Sequence, residues 1–188
     1  GYQETINFSF IDEEAERTLS GNSQPVRLLN PIAAQMNVMR SSLLPSLLEV
    51  LKRNIDRKAP LVRVFEWGRV FHRDSSVKAD LAHVQGIQQA MKLAALAWGA
   101  PQALQWGLAS KAADFYDVKG DIEALFSQYF STKPACAAIT FEAYTADAPH
   151  PALHPGRSAQ ILKNGQAIGW LGELHPKWAQ EQDLKPAP

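Results

Sequence analysis

Cysteine is nearly absent from this sequence. Cys136 is the only one in 188 residues, so no internal disulfide can form and a reducing, cytoplasmic setting is expected. No charge predominates either: Lys plus Arg and Asp plus Glu both number 19, giving a formal net charge of zero. A global positive field for nucleic acid is therefore missing, and any RNA contact has to rest on a local patch. No apolar run reaches the roughly 18 residues a membrane-spanning helix needs, and nothing has the layout of a signal peptide. Repeats, low-complexity tracts and internal linkers are absent as well. The chain opens on Gly1, without an initiator Met, and stops at Pro188 after a polar helix-like stretch, which suggests a piece of a longer protein.

What is present suits a globular core. Apolar residues make up 46% and charged residues 20% of the chain, and the length fits one domain spanning residues 1–188. Glu4 to Phe10 alternates, with Ile6, Phe8 and Phe10 on one side and Thr5, Asn7 and Ser9 on the other, as in a half-buried strand. Asp12 is placed to cap a short helix with acids Glu13, Glu14 and Glu16 in its first turns and Gly21 past its end. Val26 to Leu29 reads as a short strand. A longer helix starts at a Ser41 or Ser42 cap with Pro45 in its first turn. Leu44, Leu47, Leu48, Leu51 and Ile55 form its apolar face, and Glu49, Lys52, Arg53 and Asp56 its polar one.

Leu61 to Phe71 is apolar on both faces, so it is expected in the middle of a sheet, with Gly68 marking a bend or bulge. Ser75 to Gln89 is polar and reads as a loop. Lys92 to Gly99 fits helix or buried strand, and its abrupt stop at Gly99-Ala100-Pro101 favours strand. Asp114 or Asp117 opens a second helix striped with Val118, Ile122, Leu125, Phe126 and Tyr129. Ala138 to Tyr144 is a strand pattern and Thr145 to Pro155 a proline-rich loop. Asn164-Gly165 between Ser158–Lys163 and Gln166–Leu171 is a hairpin signal, and His175-Pro176 starts a terminal helix. Strands and helices in this order predict an α+β fold with a mainly antiparallel sheet flanked by helices.

Five stretches, in order, carry a resemblance: NPIAAQMNVMRSSLLPSLLEVLKRN (30–54), VFEWGRVF (64–71), DFYDVKGDIEAL (114–125), HPGRSAQI (154–161) and IGWLGELHP (168–176). Together they resemble the β subunit of bacterial phenylalanyl-tRNA synthetase, over its catalytic-like domain. The resemblance implies a class II aminoacyl-tRNA synthetase fold and assembly with a catalytic α subunit into a heterotetramer. It also implies that ATP and magnesium serve the parent complex, and that tRNA is met through it.

The residues themselves argue against chemistry in this piece. A class II site grips ATP phosphates with arginine, whose planar fork binds oxygens bidentately. The strand that would end in GRVYR reads Gly68-Arg69-Val70-Phe71-His72-Arg73-Asp74, with His72 at the arginine position and Arg73 turned to the other face. The Gly-rich strand-to-helix segment, IGWLGELHPKW, carries no terminal arginine. No catalytic residue, bound cofactor or metal is therefore expected in this fragment. A divergent active nucleotide site and a tRNA-binding module are the alternative readings.

Other candidates weigh less. His150 and His154 are four apart, but Pro149, Pro151 and Pro155 exclude the helix that would join them on a metal. Asp114, Asp117, Asp121 and Glu123 fit a helix start better than a metal site. Ser41-Ser42 lacks a GxSxG setting, and Cys136 lacks a local partner and reads as buried and inert.

A fold kept without its chemistry is kept for a surface. Leu43, Leu44, Leu47, Leu48 and Leu51 cover more of the helix than one core-facing stripe needs. Part of this face is expected against the α subunit, with a wholly core role as the competing reading. On the interface reading, Leu43→Glu weakens α binding and spares the fold. Arg53, Arg57 and Lys58, with Lys52 and Arg63, make a basic cluster that would meet tRNA or stabilise a helix C-terminus. Arg157 in HPGRSA would support the partner's site or an RNA phosphate, or act locally by hydrogen-bonding loop carbonyls or pairing with an acid.

Overall fold

The computed structural model describes residues 1–188 apart from 82, 102–104, 108–110, 131–138, 145–149 and 185–188, and apart from the side chains of 128–130. The chain divides into two compact units, Gly1–Ala97 and Trp98–Pro188.

In the first unit the chain runs β1 (Gln3–Glu4), β2 (Phe10–Ile11), α1 (Glu13–Leu19), β3 (Val26–Arg27), β4 (Val38–Met39), α2 (Leu44–Asp56) and β5 (Leu61–Arg73). It continues into β6 (Ile87–Gly99), whose last two residues belong to the second unit. β5 lies between β1 and β6, the central place its two apolar faces predict. β1 runs parallel to β5, with Gln3 opposite Val64 and Glu4 opposite Phe65. A second sheet has the order β2-β4-β3 and is antiparallel. The run from Lys92 to Gly99 is strand, within β6.

The N-terminal segment alternates as expected but with its faces exchanged. Ile6 and Phe8 are exposed, at 92% and 63%. The polar side chains turn inward: the Thr5 hydroxyl donates to the Phe65 carbonyl and Asn7 Nδ2 to Glu66 Oε2 at 2.8 Å.

α1 starts as its acids predict. Asp12 Oδ2 accepts from the amides of Glu14 and Ala15, and Gly21, at φ 71°, follows the helix end. α2 departs at its cap. Leu43 is the N-cap and offers no side-chain acceptor, while Ser42 Oγ accepts from the Leu44 amide at 3.2 Å. α2 packs on β5, and Leu47, Leu48 and Leu51 are buried with Val62, Val64 and Val70. Each fully buried leucine contributes about 1.5–3 kcal/mol of transfer free energy.

The second unit holds α3 (Phe115–Phe130), β7 (Ile139–Ala143), β8 (Leu153–Lys163), β9 (Gln166–Leu174) and α4 (Pro176–Glu181). Its antiparallel sheet has the order β7-β8-β9. The β8–β9 hairpin turns at Asn164 and Gly165, whose φ values of 55° and 74° are the left-handed pair a two-residue turn demands. The pairing slips by one between Ile161 and Leu162, where Gly169 and then Ala167 are opposite, leaving Ile168 as the extra residue. Ile161 and Leu162 are both buried although they are neighbours in sequence. β8 begins at Leu153, so the final part of the predicted proline-rich loop is strand. Asp114 rather than Asp117 caps α3, accepting from the amides of Tyr116 and Asp117. Cys136 and Ala138 lie outside the described residues. No described helix is long and apolar enough to cross a membrane.

Candidate functional site

The organising group of the first unit is a buried ion pair. Arg40, just after β4, and Glu66, on the inward face of β5, meet at 2.7 Å with side chains only 2% and 4% exposed. Charges taken from water at this cost persist only when their remaining hydrogen bonds are satisfied. Arg40 Nε donates to the Arg69 carbonyl, and Nη1 reaches the Phe8 carbonyl and Ser46 Oγ. Glu66 also accepts from Asn7. The main chain joins in: the Arg40 amide donates to the Ser9 carbonyl and the Phe71 amide to the Arg40 carbonyl. One pair thus ties the N-terminal segment, the approach to α2 and the centre of β5.

Gly68 has its reason here. A Cβ at this position would sit 2.5 Å from Arg40 Nη2, 3.1 Å from Glu66 Oε1 and 3.2 Å from Leu43 Cδ2. The glycine is the space through which the guanidinium reaches its partner, so the expected bend or bulge gives way to a close approach within a continuous strand. Sequence reading singled out Gly68 but missed Arg40 and Glu66. A lone arginine in MNVMRSS carries no local mark of burial, and its partner is 26 residues away.

The C-terminal end of β5 carries His72, at the position read as a displaced arginine, between Arg69 and Arg73. His72 is exposed. Arg69 Nη1 donates to the Gln89 carbonyl, and Arg73 Nε and Nη2 donate to the Pro25 carbonyl. Asp74 accepts from the hydroxyl and the amide of Ser76, which holds its carboxyl below the usual carboxylate range. An open depression beyond the strand end is lined by Ser76, Lys78, Asp80, His83 and Gln89, among others.

The leucines of α2 are all inside. Leu43, Leu44, Leu47, Leu48 and Leu51 are 8% exposed or less, and Leu43 is 2% exposed. The choice of Leu43 as an exposed member is therefore corrected: Leu43→Glu places a carboxylate in the core. The apolar side chains that do face solvent in this unit include Ile6, Phe8 and Trp67. The β1–β5 register and the Asn7–Glu66 bond put Ile6, Phe8 and Trp67 on the face of β5 opposite the ion pair. They escaped detection because period-2 alternation shows that two faces differ, not which one faces water.

The cationic candidates are scattered. Arg53 pairs with Glu49 at 3.3 Å on the exposed side of α2. Arg57 and Lys58 are exposed just past the helix, Lys58 at φ 61°. Arg63 lies over the Tyr2 ring, 4.5 Å from its centroid. In the second unit, Arg157 Nη1 meets Glu173 Oε2 at 2.6 Å, the acid pairing that was one of its local readings. The Asp117 carboxyl is lowered, first by the Asp114 amide and then by Lys111 Nζ, at 3.0 Å. Among the described residues no group of three His, Cys, Asp or Glu is placed to hold a metal ion.

Two comparisons of structure define the class. The chain is similar to the pyrrolysyl-tRNA synthetase PylSc of Desulfitobacterium hafniense, with a TM-score of 0.57 at 12% identity over 98% of this chain and 55% of that one. A second pyrrolysyl-tRNA synthetase structure from the same organism gives 0.50 at 14% identity, over 88% and 50%. At this identity the likeness shows the fold alone: α+β, of the class II tRNA synthetase kind. The sequence narrows it further. Residues 1–188 match the family model described as phenylalanyl tRNA synthetase beta chain CLM domain, and the chain belongs to that family. Phenylalanine–tRNA ligase beta subunits of Bordetella bronchiseptica and Burkholderia pseudomallei are 49% and 51% identical over 187 residues, and that of Cupriavidus pinatubonensis is 49% identical. The match covers all of this chain and 22% of each relative, so the chain spans about a fifth of their length.

Proposed function

We propose that this chain is a non-catalytic interaction domain of a phenylalanine–tRNA ligase beta subunit, supporting assembly with the catalytic α subunit for ATP-dependent aminoacylation of tRNA. The observation that carries this reading is the state of the arginines around His72. Arg40 is consumed by Glu66, and Arg69 and Arg73 are each bonded to a main-chain carbonyl. Such a set does not fit a triphosphate, which asks for guanidinium forks free to close on its oxygens. An imidazole in the arginine position offers a single N–H donor when neutral, against the five of a guanidinium. ATP and magnesium then belong to the partner's site.

The exposed face bearing Ile6, Phe8 and Trp67 is the better candidate for the subunit contact, in place of the buried α2 leucines. Large aromatic side chains at such exposure act as interface anchors. The test is co-purification of the full-length beta chain with its α subunit. Phe8→Glu with Trp67→Glu should cut recovery of α at least tenfold while the circular dichroism stays unchanged. Full recovery would remove this face from the interface, and ATP–pyrophosphate exchange with phenylalanine by the 188-residue chain alone would overturn the non-catalytic reading. A tRNA contact through exposed Arg57 and Lys58, with Arg53 beside them, is the secondary reading. It rests on the exposure of Arg57 and Lys58 outside any ion pair among the described residues.

A further inference from the structure

Three of the five histidines share one arrangement. In each, the imidazole Nδ1 accepts a hydrogen bond from the backbone amide two residues on: Ala152 to His150 at 3.3 Å, Gly156 to His154 at 3.0 Å, Lys177 to His175 at 3.1 Å. A ring nitrogen accepts only when it carries no proton, so each geometry needs the neutral ring with its proton on Nε2. The three sites are also mechanically joined. The His175 amide donates to the Ala152 carbonyl at 2.8 Å, the Leu153 amide donates to the His150 carbonyl at 3.0 Å, and Leu153 is opposite Leu174 where β8 and β9 meet. Trp178 Nε1 donates to the Pro151 carbonyl at 2.8 Å, fixing α4 to the same turn. His150 packs on Trp170 with ring centroids 4.2 Å apart, and the His154 and His175 rings are 6.4 Å apart.

From this geometry we infer that residues 150–177 form an acid-labile clasp, in which three neutral imidazoles hold the β8 entry, the β9 exit and the start of α4 together. Protonation turns each Nδ1 from acceptor to donor, opposes it to the amide it was capping, and sets two like charges across the His154–His175 contact. Burial already works against the charged form at His150, pushing its pKa down. The folded state therefore binds fewer protons there than the unfolded one. That contribution to stability is whole above the ordinary histidine value of about 6.5 and is lost as the pH falls below it.

The charged neighbours are largely engaged elsewhere. Arg157 of β8 pairs with Glu173 of β9, and Lys177 of α4 lies over Trp178 and pairs with Glu181. On α3, which packs on β9, Lys119 pairs with Glu123, and Asp117 with Lys111 just before the helix; Asp121 on the same helix is engaged as well. Lys163 lies at the far end of β8, and Glu142 on β7.

The arrangement is tested on the ¹⁵N-labelled 188-residue chain by long-range imidazole spectra at pH 7.5. His150, His154 and His175 should show Nε2–H tautomers. His83, whose Nδ1 faces both carboxylate oxygens of Asp80 at 2.9 Å, should carry its proton on Nδ1. Replacing all three with asparagine, whose Oδ1 caps without titrating, should at least halve the fall in melting temperature between pH 7.5 and 5.5. Nδ1-protonated rings at two of the three sites, or an equal fall in both proteins, would overturn the inference. Should the triple variant not fold, the amides of Ala152, Gly156 and Lys177 decide. They should shift with the midpoints of their capping rings, and pH-independent shifts would overturn it equally.

Discussion

The two units each contain an arginine–glutamate pair of nearly the same length, and the pairs do opposite work. Arg40–Glu66 closes at 2.7 Å with both side chains out of water, and six further hydrogen bonds converge on its two residues. Arg157–Glu173 closes at 2.6 Å with side chains 59% and 33% exposed. In the first the partners cannot be separated without stranding a charge, so the pair dictates the local fold. In the second, water replaces either partner, so the β8–β9 hairpin dictates the pair. Distance alone distinguishes nothing; the surrounding dielectric and the remaining bonds decide.

The sharpest way to break this comparison is to remove one partner from each pair. Glu66→Ala should cost about 3–5 kcal/mol, because it leaves the Arg40 guanidinium buried and unpaired. Urea unfolding followed by circular dichroism measures it. A loss below 1 kcal/mol would mean that water enters and the pair does not organise the unit. A smaller effect is expected at Gly68→Ala. Its methyl group would displace Arg40 Nη2 from 2.5 Å and press on Leu43, at roughly 1–3 kcal/mol for an overpacked site. Combined with Glu66→Ala, its cost should shrink, since the guanidinium it disturbs has then already lost its partner. The smallest effect belongs to Arg157→Ala, below about 1 kcal/mol and diminishing with added salt. A salt-independent loss of several kcal/mol would show that Arg157 is more than a surface partner of Glu173.

The same contrast explains what could be read in advance. Features set by neighbours in sequence were legible. Asp12 before three acids gives the α1 cap, Asn164-Gly165 gives the hairpin, and His175-Pro176 gives the entry to α4. The central placing of β5 followed from its apolar run. Features set by distant partners were not. The cap of α2 was expected at a serine side chain, yet Leu43 occupies it because that leucine is wanted in the core. Ile6 and Phe8 looked like the inward side of a strand. They point outward because Asn7 is drawn in by a glutamate 59 residues later. The leucines of α2 looked too many for one stripe, and tertiary packing used every one. His72 and the arginines beside it were found from motif order, but only the folded chain shows Arg69 and Arg73 bonded to carbonyls.

The sequence by itself determined the family, the α+β class and the local elements. Those rest on residue spacing, capping and turn chemistry, which act over a few residues and survive outside any particular packing. Tertiary structure alone decided which side of the N-terminal segment meets water, why position 68 holds a glycine, and which arginine is buried. These are questions of desolvation, and the cost of removing a charge or an apolar ring from water depends on groups that the chain brings together only when it folds.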